Sequence, residues 1–303
     1  MDCFDQLYNH LKQCCPGLEL LRNEPMARHT TFRIGGPVPL MARPTTEEQV
    51  LASVKLAREG EVPLVVLGNG SNLLVADKGA EVFVLDMTGL NRLERTGERE
   101  VTAGAGVTLA RLATFAAGEG LTGLEFASGI PGTLGGGVLM NAGAYGGEMV
   151  QVVRRTRCLT PEGTVKEIVG EEHDFSYRHS VFSQGEDVIL SSVLELEPDN
   201  AEAIRARIAE LAQKRKTKQP LEYPSAGSMF KRPQGYFAAA LIEQCGLKGF
   251  TVGGAQVSEK HAGFVINRGG ATCADVLALV KEVQRRVKEQ TGVELEMEVR
   301  RLG

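Results

Sequence analysis

An α+β fold divided into more than one domain is what this sequence predicts. Three observations lead there. The chain has 303 residues, about two ordinary domains in length. Amphipathic helical runs interleave with apolar strand runs, while the stretch from Gly163 to Pro198 is mostly strand. A long helical run with a basic end stops at Pro220, a natural boundary.

The elements follow in chain order. A short helix carries Leu7 and Leu11 and breaks at Pro16-Gly17. Thr45 to Glu48 reads as a capping box opening a helix whose apolar face is Val50, Leu51, Val54 and Ala57, ended by Gly60. Val62 to Leu67 and Val82 to Leu85 read as buried strands, and Thr108 caps a helix bearing Leu109, Leu112 and Phe115. The strongest strand lies at Val188 to Leu194. From Asp199 a helix presents Ile204, Ile208 and Leu211 on one face and ends in Lys214, Arg215, Lys216 and Lys218, which suits the helix dipole. Beyond Pro220 come a helix near Tyr236 to Cys245, a strand at Phe264 to Ile266, a long helix from about Thr272, and an alternating strand from Leu295 to Arg300. Domain limits are set at 1–90, 91–198 and 199–303.

Composition excludes several classes. With 34 basic against 38 acidic residues the net charge is -4, and no large basic block is present, so nucleic-acid binding driven by overall charge is not expected. The first residues have acids where a secretory n-region needs lysines, and the protein reads as cytosolic. Phe126 to Gly147 is uncharged and long enough to span a membrane, but it holds eight glycines and Pro131, so a loop system without helix is expected there. Six cysteines without CxxC spacing make a metal site unexpected, and they read as reduced, packed thiols. Nothing in the sequence decides the oligomeric state, and a monomer is compatible with it.

Glycine is the anomaly: 36 residues, about 12% of the chain against a usual ~7%. Eighteen of them lie between Gly68 and Gly147. The strand Leu64 to Leu67 runs into Gly68-Asn69-Gly70-Ser71-Asn72, which offers unhindered backbone N–H groups with hydroxyl and amide side chains, a set that can wrap a diphosphate. Leu73 stands where a Rossmann fingerprint has its third glycine, and there is no Walker lysine. A second loop, Ser128-Gly129-Ile130-Pro131-Gly132-Thr133-Leu134-Gly135-Gly136, leads to Asn141-Ala142-Gly143-Ala144-Tyr145-Gly146. Either loop alone is explained by tight turns and close packing. Two in one chain fit a dinucleotide held by backbone amides.

These motifs resemble the FAD-binding (PCMH) domain of vanillyl-alcohol-oxidase-type flavoproteins. More closely, from Thr30-Thr31-Phe32-Arg33-Ile34-Gly35-Gly36 to Glu298-Val299-Arg300, the chain is similar to the UDP-N-acetylenolpyruvoylglucosamine reductase (MurB) family, in its compact type II form because no long insertion follows Tyr177-Arg178. The resemblance implies a two-part FAD-binding domain followed by a C-terminal α+β substrate domain. It implies FAD bound through Gly68, Asn69, Gly70, Ser71, Asn72, Ser128, Gly129, Pro131, Gly132, Thr133, Gly136 and Asn141. No His lies between His29 and His173 and no Cys between Cys15 and Cys158, so the flavin is expected to be noncovalent. Alanine at Gly70 or Gly132 is expected to cost flavin before fold.

By chemistry alone Arg178 reads as a surface ion pair, Ser228 as a turn or cap hydroxyl and Glu298 as the polar face of an edge strand. The family's Tyr-Arg-x-Ser, Ala-Gly-Ser-x-Phe and Glu-Val-Arg motifs place all three in the reducing site. The implied reaction is NADPH-dependent reduction of UDP-GlcNAc-enolpyruvate to UDP-N-acetylmuramate, a step of peptidoglycan synthesis and so of cell-wall biogenesis. Arg178 would hold the carboxylate, Glu298, if protonated, would hydrogen-bond to it, and Ser228 would protonate C2. Tyr145, Arg215, Lys218, Lys231 and Arg232 are the implied substrate contacts, with Lys218 foremost for the diphosphate. His261 either lines the pocket or stabilises a turn. The alternatives are another FAD-dependent oxidase or dehydrogenase of the same fold, and a non-catalytic nucleotide-sugar binder.

Overall fold

The computed structural model describes residues 2–303. The chain forms two compact units, one of residues 1–22, 40–69 and 82–214, the other of 23–39, 70–81 and 215–303. Each has its own core. Thus the sequence limits at 90 and 198 follow the chain linearly, whereas both units are assembled from three separated stretches.

In the first unit, helix α1 (Cys3–Cys14) buries Leu7 and Leu11, and α2 (Glu47–Glu59) buries Val50, Val54 and Ala57. The cap of α2 lies one residue later than expected. Thr46 accepts the Gln49 N–H, whereas the Thr45 N–H donates to Gln49 Oε1 at 2.8 Å. A four-stranded sheet has the order Glu19–Pro25, Pro37–Arg43, Phe83–Asp86, Leu64–Leu67, with Phe83–Asp86 parallel to both neighbours. A five-stranded antiparallel sheet follows, ordered Val165–Val169, Val153–Leu159, Val188–Glu195, Glu100–Gly104, Leu93–Arg95. Helix α3 (Leu109–Gly118), capped by Thr108, joins Leu85, Leu112, Val101 and Phe182 in one apolar cluster.

The glycine run is not entirely loop. Leu134–Leu139 forms a short helix, α4, despite three consecutive glycines. Tertiary contacts override propensity here. Leu134 and Val138 are fully buried, and the Leu134 and Gly135 N–H groups donate to Val107 O and Ala105 O at 2.8 and 2.9 Å. Helix α5 (Ala201–Lys218) fully buries Ile204, while Ile208 and Leu211 of the expected face are half-buried. Its early turns are anchored by Arg207, which donates to Glu125 Oε1 at 2.9 Å and Thr122 Oγ1 at 3.0 Å.

The second unit centres on a four-stranded antiparallel sheet ordered Ser225–Ser228, Phe264–Asn267, Ala255–Val257, Thr251–Val252. Helices α6 (Ala238–Gln244) and α7 (Cys273–Thr291) pack together, and α7 also covers the last two strands of that sheet. Residues from the amino-terminal half complete this unit. Phe32, Ile34 and Leu74 lie in the same core as Val276, Leu279 and Val283. Asp77 caps α7 from a distance, accepting the Cys273 and Ala274 N–H groups at 2.7 and 3.0 Å. The final strand is Arg300–Leu302, parallel to Leu73–Val75, rather than Leu295–Arg300. Of the expected run, Met297 bridges to Phe230 and Arg300 opens the final strand. No helix among the described residues is long and apolar enough to cross a membrane.

Candidate active site

The two glycine loops meet inside the first unit. Asn69 Nδ2 donates to Pro131 O at 2.6 Å, and a Cβ on Gly68 would lie 2.3 Å from Thr133 Oγ1. Only glycine lets the backbone at position 68 approach the Thr133 side chain so closely. Thr133 is 1% exposed, and its Oγ1 is buried with no hydrogen-bond partner among the described residues. An unsatisfied buried hydroxyl is costly, so its presence beside open backbone points to a ligand atom that completes it. Ser128 Oγ, by contrast, donates to Glu125 O at 2.7 Å.

The first loop continues into the second unit, where its residues have structural work. Gly70 has φ +57°, and a Cβ there would sit 2.0 Å from His29 O. Alanine at this position therefore attacks the fold directly, which corrects the expectation that flavin would be lost first. Asn72 donates through Nδ2 to Glu298 O at 3.2 Å, and its carbonyl accepts the Arg300 N–H at 3.0 Å.

Two tight turns in the first unit carry Tyr145 and Arg178. Gly143–Ala144 and Gly147–Glu148 pair with Ala144 opposite Gly147, leaving Tyr145 and Gly146 as a two-residue turn with φ +53° and +87°. Positive φ at both positions is the I′ geometry that matches strand twist. Ser176 and His179 exchange backbone hydrogen bonds of 3.1 and 3.2 Å around Tyr177 and Arg178, and Arg178 has φ +56°. Its guanidinium stacks on the Tyr177 ring at 5.1 Å. Non-glycine residues in this region are uncommon, and strain of this kind gathers at functional sites. Between Arg178 and the strand at Val188 the chain makes only a short 3-10 turn, Val181–Ser183.

In the second unit an irregular pairing of 229–231 with 296–298 joins Glu298 to Met229, the residue after Ser228. Glu298 N–H donates to Met229 O at 2.9 Å, and Lys231 N–H to Glu296 O at 2.8 Å. The side chains of Ser228 and Glu298 are both half-buried. Lys231 is ion-paired with Glu296, and the Arg232 guanidinium lies 4.1 Å over the Phe237 ring, which is 61% exposed. Arg215 and Lys218 occupy the last turn of α5. His261 stabilises a turn: its Nδ1 accepts the Gly263 N–H at 3.2 Å, and burial lowers its pKa. Cys15, Cys158 and Cys273 are buried, and burial pushes the first two thiols up to about 11.

Comparison with known proteins decides between the readings left open by the sequence. The C-terminal domain model of UDP-N-acetylenolpyruvoylglucosamine reductase matches residues 219–302, and an FAD binding domain model matches 38–169. A UDP-N-acetylenolpyruvoylglucosamine reductase from Agathobacter rectalis is 49% identical over 300 residues, covering 95% of each chain. This chain belongs to the UDP-N-acetylenolpyruvoylglucosamine reductase family. Another member, from Caldanaerobacter subterraneus subsp. tengcongensis, is 46% identical and covers 98% of each chain. The crystal structure of the family's enzyme from Thermus caldophilus is 36% identical, with a TM-score of 0.80 over 94% of this chain and 99% of that one. An alkyldihydroxyacetonephosphate synthase structure, 19% identical with a TM-score of 0.50 over 64% of this chain, shares the fold alone.

Sequence reasoning missed how the family's residues are supported. Thr31 Oγ1 donates to Ser225 O at 2.7 Å, and Asn267 Nδ2 to Phe32 O at 3.2 Å, so residues 31 and 32 hold the strand that ends at Ser228. The available signal was the run from Thr30 to Gly36, where Phe32 and Ile34 are large apolar residues in an otherwise irregular connection, and both are buried.

Proposed function

We propose that this chain is an NADPH-dependent flavoprotein oxidoreductase that reduces UDP-N-acetylglucosamine enolpyruvate to UDP-N-acetylmuramate in peptidoglycan precursor synthesis. The observation that supports this reading, beyond family membership, is the backbone pairing of Glu298 with Met229, which ties residues 296–298 to the strand that ends at Ser228. The residues of the glycine loops fit FAD: an orphaned Thr133 hydroxyl beside the bare Gly68 backbone suits a diphosphate. Gly68, Asn69, Gly70, Ser71, Asn72, Ser128, Gly129, Pro131, Gly132, Thr133 and Gly136 form the proposed cofactor set; the side-chain amide of Asn141, which the resemblance also implied, is engaged within the protein instead.

Bound FAD supplies a two-electron carrier between NADPH and the enol ether. Arg178, a permanent cation with a planar fork, holds the substrate carboxylate and the negative charge that builds on it as C3 takes up hydride. Glu298, whenever it carries a proton, hydrogen-bonds to the same carboxylate. Ser228 gives its hydroxyl proton to C2, and solvent later reprotonates the oxygen. A serine hydroxyl is a weak acid, so this step works only toward a strongly basic, enolate-like carbon. Tyr145, Arg215, Lys218, Lys231 and Arg232 contact the nucleotide sugar, with Lys218 nearest the diphosphate in role. The compact type II form and a cytoplasmic location, where NADPH and UDP-sugars are drawn from common pools, complete the reading.

The test is direct. The purified protein should be yellow and consume NADPH in proportion to added UDP-GlcNAc-enolpyruvate. A colourless protein, or a yellow one indifferent to the enolpyruvyl sugar, would refute the proposal.

A further inference from the structure

Asn141 is buried, 2% exposed, and sits at φ +41°. Its Oδ1 accepts the Val150 N–H at 3.0 Å, and its Nδ2 donates to Glu148 Oε2 at 3.0 Å and to Ser176 O at 3.1 Å. A backbone N–H can only donate and a backbone carbonyl can only accept, so the amide orientation is unambiguous. Both hydrogens and the oxygen are in use. The side chain has little left for a ligand unless it gives up one of these bonds.

Those three bonds tie two pieces of chain that otherwise share no strand. Glu148 ends the tiny hairpin that displays Tyr145, and Ser176 closes the turn that displays Arg178. Two-residue strands are marginal alone, so their placement has to come from outside. The same neighbourhood grips the far side of the Arg178 turn: Leu139 O accepts the hydroxyls of Ser180 and Ser183 at 2.9 and 2.8 Å. Residues 139–141 thus bracket the Arg178 segment on both sides.

We propose that Asn141 is a positioning residue that fixes the Arg178 turn relative to the Tyr145 turn, and so sets where the substrate carboxylate is held during reduction. This rests on the function proposed above. Asn141 acts through Arg178 and touches no reacting atom. A misplacement of about 1 Å in such a group costs roughly a hundredfold in rate.

The experiment uses Asn141→Gly, which accepts the positive φ and removes all three bonds, and Asn141→Asp, which keeps the bond from Val150 but loses both donations and faces the Glu148 carboxylate. The first measurement is amide hydrogen exchange in cofactor-free protein, comparing residues 176–179 with the strand Val188–Glu195. The second is rapid mixing of holoenzyme, with flavin reduction by NADPH and reoxidation by UDP-GlcNAc-enolpyruvate followed separately. Both variants should exchange faster at 176–179 with the strand Val188–Glu195 unchanged, and Asn141→Gly should also expose the Val150 N–H. They should also keep NADPH reduction within about twofold and lose roughly tenfold to a hundredfold in maximal reoxidation rate. Wild-type exchange at 176–179, or equal losses in the two half-reactions, would overturn the assignment. If the wild-type enzyme is not reoxidised by the enolpyruvyl sugar, the proposed function falls, while the exchange arm still judges the brace.

Discussion

Replacing Thr133 with valine separates what a residue does for a fold from what it does for a ligand. Threonine and valine have the same shape, and the extended backbone at this helix cap, φ -97° and ψ 165°, accepts either. Because Thr133 Oγ1 is buried without a partner, the cofactor-free protein carries the cost of a desolvated hydroxyl, about 1 to 2 kcal/mol. Valine removes that cost, and with a urea slope of about 2 kcal/mol per molar the unfolding midpoint should rise by roughly 0.5 to 1 M. FAD binding should move the other way. One lost hydrogen bond to a charged group, about 1.5 to 3 kcal/mol, weakens affinity roughly tenfold to a hundredfold. Urea titration of stripped protein and flavin-fluorescence titration with FAD provide the two readings. A stability loss in the stripped variant, or an unchanged FAD affinity, would refute the idea that the hydroxyl is left open for the cofactor.

Three further predictions follow from the same geometry. Ser228→Ala should leave flavin reduction by NADPH nearly intact and abolish reoxidation by the enolpyruvyl sugar in stopped-flow traces; loss of both half-reactions would contradict its role as proton donor. Gly70→Ala forces a left-handed residue and a Cβ 2.0 Å from His29 O, so it should destabilise by about 3 kcal/mol or more in thermal melts of stripped protein, with a normal melt counting against the backbone argument. His173 is fully buried, with ring nitrogens 2.9 Å from Gly170 O and 2.8 Å from Thr156 Oγ1, and burial lowers its pKa from 6.5. Its neutral form belongs to the folded state, so stability is complete above pH 6.5 and falls as pH drops, by up to about 1.4 kcal/mol per unit, with His261 adding in the same direction. Urea midpoints that rise on acidification from pH 7 to 5.5 would show the sign to be wrong.

Local chemistry was legible in the sequence wherever its partners were local. Thr108 caps the helix it was expected to cap, and the helix expected from about Thr272 starts there with Thr272 as its cap, because in both the accepting oxygen and donating N–H are three residues apart. The shift from Thr45 to Thr46 came from Gln49, whose side chain competes for the Thr45 N–H. Helix α4 was hidden because its propensity is poor and its support lies in Val107 and Ala105. The last strand was misplaced by a few residues because its partner is Leu73–Val75, which no window near residue 300 contains. At the site, residue types and motifs were readable through family resemblance. The reason for Asn141 was not, since its three partners include two backbone groups and lie as far away as Ser176.

The pairing of Leu73–Val75 with Arg300–Leu302 also bears on how the molecule is made. A ribosome adds roughly 5 to 20 residues per second, so the earlier strand waits on the order of ten to forty-five seconds for its partner to be synthesised. Phe32, Ile34 and Leu74 wait with it, since the core they share is completed by Val283, Leu295 and Val299. During that interval a sticky apolar segment is exposed in the nascent chain. The arrangement makes closure of the second unit a late event, and it leaves residues 23–39 and 70–81 as a defined early client region for chaperones.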